Sequence, residues 1–97
     1  MSFTKAQDLS DLTALRADIV GIQNARGTRN IGRALSTYQA ERATIIGRST
    51  LNEKRLGLDF VEEKIQEAGR SNTTANDAAA LRHVDALIAG YAFYTGT

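Results

Sequence analysis

Ninety-seven residues, 42% hydrophobic and 24% charged, are enough for one globular domain and argue against disorder along the whole chain. No run of about eighteen apolar residues occurs, and no apolar core follows Met1, so neither a membrane span nor a signal peptide is expected. The absence of cysteine excludes disulfides, thiolate metal ligands and a cysteine nucleophile, and the absence of proline removes the strongest helix breaker.

The formal net charge of +1 conceals a division along the chain. Residues 1–25 carry two basic and three acidic side chains, a net of −1. Residues 26–55 carry Arg26, Arg29, Arg33, Arg42, Arg48, Lys54 and Arg55 against Glu41 and Glu53, a net of +5. Residues 56–97 carry three basic and six acidic side chains, a net of −3. A basic middle between acidic flanks has two uses. It can steer an anionic partner or another copy of the chain, or it can be consumed in ion pairs within the fold.

In chain order, the first helix is expected over roughly 4–26. Thr4 and Gln7 have capping-box spacing. Leu9, Leu12, Leu15, Ile19 and Ile22 then recur in steps of three and four, and Gly27 suits the turn that ends it. A second helix is expected over roughly 28–47, with Ile31, Ala34, Leu35, Tyr38, Ile45 and Ile46 on one side and Arg42 interrupting them. The β-branched cluster at 43–47 keeps a rival open, a short hairpin around 43–58 in an α+β fold. A third helix is expected over roughly 51–69, between a Thr50/Glu53 capping box and a left-handed Gly69. Leu51, Leu58, Val61, Ile65 and Ala68 form its main stripe, with Leu56 and Phe60 on nearly the opposite side. Gly57 is its weak point. Asp59 and Glu62 offer another start, and a break there would free 55–58 to pair with 43–47. A last helix over roughly 74–94 starts at a Thr74/Asp77 spacing and carries Ala78, Leu81, Val84, Leu87, Ile88 and Tyr91 on one side. The expected fold is all-α: about four amphipathic helices in one domain, as a bundle or an extended helical array.

Chemistry is sparse. His83, the one histidine, is placed by periodicity opposite the apolar side of the last helix, and a lone histidine makes no typical metal site. Glu62, Glu63 and Glu67 read as a solvated helix face, because adjacent helical residues do not face each other. Serines and threonines cluster at helix starts, where capping accounts for them. No catalytic residue, metal or cofactor is implied. Gly27 to Arg33 resembles an anion-binding turn ahead of a helix but lacks the Gly-Lys-Ser/Thr of a P-loop. Arg26, Arg29, Arg33 and Arg48 are the candidate contacts to an anion or nucleic acid, and each phosphate met would add salt dependence. The apolar residues that a four-helix core does not obviously absorb are Leu56, Phe60, Phe93 and Tyr94, the candidate protein interface.

One segment carries a family likeness. Thr44-Ile45-Ile46-Gly47-Arg48-Ser49-Thr50-Leu51, preceded by a leucine-rich helix and followed by an acidic amphipathic helix, resembles small phage head–tail joining proteins of the lambda W type. The resemblance covers residues 8–68 at most. It implies a helix, a short hairpin, a second helix and assembly as rings at a portal. The chain departs from it in the helical look of 28–42 and in the added C-terminal helix, and no functional residue carries over. The expectation is a non-enzymatic structural or interaction protein of the cytoplasm or a virion. It would contact copies of itself or other assembly subunits, with no membrane and no small-molecule substrate. The alternative is a small nucleic-acid-binding regulator using the arginine-rich segment 26–55.

Overall fold

A computed structural model of the chain describes residues 4–91 and Phe93. Among the described residues it is an all-α bundle of five helices: α1 (Lys5–Ala25), α2 (Ile31–Arg48), the single turn α3 (Asn52–Arg55), α4 (Leu58–Ala68) and α5 (Thr73–Tyr91). No strand occurs among the described residues, so the hairpin expected as the alternative around 43–58 does not form. The β-branched cluster lies inside α2, where Ile45 is fully buried and Ile46 packs against the core.

α1 is the axis of the bundle, with α2 and α5 packed along it and α4 packed on α5. Thr4 caps it, accepting a hydrogen bond from the Gln7 amide at 3.2 Å. Its heptad-like residues Leu12, Leu15, Ile19 and Ile22 are fully buried, each contributing about 1.5–3 kcal/mol of transfer free energy. The helix ends where Gly27 takes φ +77°, a backbone state that costs glycine little. Around α1 the core is completed by Tyr38 and Ile45 of α2, Leu58, Val61 and Ile65 of α4, and Ala80 and Val84 of α5. The molecule measures 41 × 24 × 18 Å, an elongated bundle rather than an open array.

The expected continuous helix over 51–69 is broken at Gly57, which is left-handed at φ +63°. On an unbroken helix Leu56 and Leu58 would be about 200° apart. With the break, both are 1% exposed in the same core. Leu56 is therefore a core residue and not part of a protein interface, a correction to the reading from helical spacing. Leu51, placed on the buried stripe by that spacing, is 67% exposed. The left-handed residue between α4 and α5 is Asn72 at φ +47°, while the expected Gly69 stays right-handed at φ −71°.

Arginines lock the ends of the bundle. At one end Arg55 donates to Asp8 and to Asn52, Arg48 donates to Asp11, and the Tyr91 hydroxyl donates to Asp8. At the other, Arg26 ties α1 to α4 and α5. Burial, reinforced by the hydrogen bond to Asp8, pushes the Tyr91 phenol from 10.0 up to about 12. A folded-state value above the unfolded one gives stability that is complete below about pH 10 and lost as pH rises through about 12. The stability difference between wild type and Tyr91→Phe should therefore shrink between about pH 10 and 12 in melts followed by circular dichroism. A constant difference across that range would refute the linkage.

Candidate functional site

The fold divides the four arginines singled out in the sequence. Arg26 donates through Nε to Asp77 Oδ2 at 2.9 Å and through a terminal nitrogen to Asp77 Oδ1 at 3.0 Å and to the Ile65 carbonyl at 3.1 Å. Arg48 is held by Asp11. These two are structural, and their availability to an anion is corrected accordingly. Arg29 and Arg33 stay exposed near the start of α2. No side-chain hydrogen bond or ion pair engages either guanidinium among the described residues. The charge division along the chain is thus spent largely inside the fold. Arg48 and Arg55 reach the acidic N-terminal part, Arg26 reaches the acidic C-terminal part, and Arg42 pairs with Glu53.

The candidate interface divides in the same way. Leu56 is in the core, as described above. Phe60 is 39% exposed on the first turn of α4. Its ring lies 5.2 Å from the His83 ring at an interplanar angle of 44°, and the Lys64 ammonium stands 5.5 Å from its centroid. Phe93 is 87% exposed beyond the end of α5, and Tyr94 lies outside the described residues. Leu51 joins Phe60 and Phe93 as an exposed large apolar residue.

His83 is not the free surface residue that periodicity implied. It is half-buried, with Nε2 3.1 Å from the Leu56 carbonyl. A Cβ on Gly57 would come within 2.4 Å of the same nitrogen, so the ring is seated directly on the glycine. This packing depends on the backbone break and leaves no mark in the sequence pattern.

Glu62 is likewise more than a solvated carboxylate. It accepts from Gln39 of α2 at 2.9 Å and from Gln66 at 2.8 Å. Burial works against its charged form. Hydrogen bonds from Gln39 and Gln66, with the nearby Arg42 charge, outweigh that and hold Glu62 below the usual carboxylate range. The Tyr38 hydroxyl is pushed up by burial and by Glu62. The group joins α2 to α4, and keeping Glu62 ionised makes it a poor proton donor at neutral pH. Among the described residues, no three His, Cys, Asp or Glu side chains converge as a metal site.

A groove that the sequence reading missed runs between α1 and α2, with a volume of about 480 Å³. Ala17, Gly21 and Ala34 leave it open, and Asp18, Arg33 and Thr37 border it. Burial, and secondarily the Glu41 charge, raise the Asp18 carboxyl above its ordinary value, and its buried Oδ2 has no hydrogen-bond partner among the described residues. The available signal was the four-residue spacing of Ala17, Gly21 and Ala25 on α1, where larger side chains would have filled the space.

No protein-family model matches the chain, and no curated protein or solved structure matches it either.

Proposed function

We propose that the chain is a structural interaction protein, a subunit of a larger assembly, and most concretely a component of a phage or prophage virion. The observation that carries this reading is Phe60, a large aromatic side chain partly in solvent on α4, flanked by His83 and Lys64. Exposed aromatics in a fixed orientation are favoured anchors for protein contacts, because little side-chain entropy is lost on binding. Leu51 and Phe93 extend the exposed apolar inventory. The virion assignment draws on the resemblance of residues 44–51 and their flanking helices to head–tail joining proteins. The absent hairpin removes one element of that likeness and leaves the assembly reading in place.

Light scattering of the wild type should show species larger than a dimer, alone or with a partner subunit. Phe60→Asp should remove them while the helical circular dichroism signal is kept. Equal distributions for the two proteins would overturn the reading. The regulator alternative would rest on Arg29 and Arg33, since Arg26 and Arg48 are engaged within the fold. It requires a gel shift that weakens with salt and with Arg29→Ala.

A further inference from the structure

The groove between α1 and α2 carries both signs of charge. Arg33, Thr37 and Glu41 follow at four-residue steps on α2 and share one face of it. Asp18 on α1 is close enough to Glu41 for the two charges to repel. Asp18 lines the groove, and Glu41 lies one turn of α2 past Thr37, beyond the lining. Arg33 lines it as well, about 12 Å from Glu41 along the helix. Along the lining, Ala17, Gly21, Ala25 and Ala34 present nothing beyond a Cβ, so another helix can approach closely there.

Asp18 departs from the four aspartates that pair with arginine. Asp8, Asp11, Asp77 and Asp85 each have an arginine partner within the fold. Among the described residues Asp18 has none, and its buried Oδ2 lacks any donor. Arg33 borders the same groove and forms no ion pair among the described residues. On α2, Arg33 and Glu41, opposite in sign, each lie four residues from Thr37.

We infer that this groove is a contact between two copies of the chain, related by a two-fold axis near Thr37, with Arg33 of each copy against Asp18 and Glu41 of the other. A two-fold contact requires a patch that is complementary to itself after rotation, and opposite charges placed symmetrically about Thr37 meet that requirement. A nucleic acid would set phosphates against Asp18 and Glu41. A partner of uniform charge would be repelled at one end. The inference rests on the assembly reading and supplies a second face for it, separate from Phe60.

The chain has no cysteine, so Thr37→Cys introduces one thiol per copy beside the proposed axis. Mild oxidation should link most of that variant as a disulfide dimer, whereas Ala89→Cys, exposed on α5, should stay unlinked. Arg33→Glu should weaken dimerisation at least about tenfold in sedimentation equilibrium, with helicity unchanged. Mixing Arg33→Glu chains with Glu41→Arg chains should restore dimers in part, because position 33 of each chain again faces an opposite charge at position 41 of the other. Failure of Thr37→Cys to cross-link, or a dimer that Arg33→Glu does not weaken, overturns the groove contact. If Phe60→Asp still dissolves the larger species in that case, the assembly reading survives without it. A wild type that stays monomeric by sedimentation overturns the groove contact outright.

Discussion

Gly57→Ala is expected to destabilise the protein by about 2–4 kcal/mol, and two separate causes add to give that figure. The backbone is left-handed at φ +63°, where a Cβ costs roughly 1–2 kcal/mol. The new methyl would also stand 2.4 Å from His83 Nε2 and 2.8 Å from Cε1, so the ring must leave its seat and its contact with the Leu56 carbonyl. At about 4–8 °C per kcal/mol for a domain of this size, the melting temperature should fall by about 10 °C or more. The double variant Gly57→Ala, His83→Ala separates the causes. Removing the ring should relieve the steric part and leave the backbone part, so the two losses should be less than additive. Full additivity would mean that His83 does not rest on the glycine. A drop under about 1 kcal/mol for Gly57→Ala would contradict the left-handed break itself.

Arg26→Ala should lose about 3–5 kcal/mol, the expected consequence of leaving a buried carboxylate without its partner. Asp77 is 2% exposed and both its oxygens accept from Arg26, while the same guanidinium also serves the Ile65 carbonyl at the end of α4. Domains of this kind have about 5–15 kcal/mol in total, so the variant should be partly unfolded or melt far below the wild type in a circular dichroism scan. The variant Arg26→Ala, Asp77→Ala should recover part of the loss, because the unpaired charge is gone with its partner. If Arg26 instead served a nucleic acid, Arg26→Ala would reduce binding at an unchanged melting temperature, and that outcome would count against the structural role.

Legibility from the sequence followed the kind of interaction involved. Leu12, Leu15, Ile19 and Ile22 could be read as core from spacing alone, because α-helical periodicity and burial are local consequences of where apolar residues fall. Thr4 was readable as a cap for the same reason. The other capping-box spacings failed. Glu53 pairs with Arg42 and Asp77 with Arg26, so the acidic side chains that would have closed those boxes answer distant arginines. Phe60 was legible as a candidate contact because it lies off the main stripe, and it is exposed in the fold. Leu56 was assigned to the same patch on the assumption of a continuous helix, and the turn at Gly57 reversed that assignment.

By itself, then, the sequence determined an all-α domain, the extent of its long helices to within a few residues, most of the core and the sign of charge in each part of the chain. These follow from periodicity, composition and chain-end chemistry, which act over one or two turns. Only the tertiary structure decided which arginines are free, where His83 sits, which way the chain turns at Gly57 and that a groove stays open between α1 and α2. Each depends on groups far apart in the chain: Arg26 on Asp77, Gly57 on His83, Asp18 on Glu41. Charge pairing and the close seating of a ring on a glycine are set by distance in space, and spacing along the chain does not encode that distance.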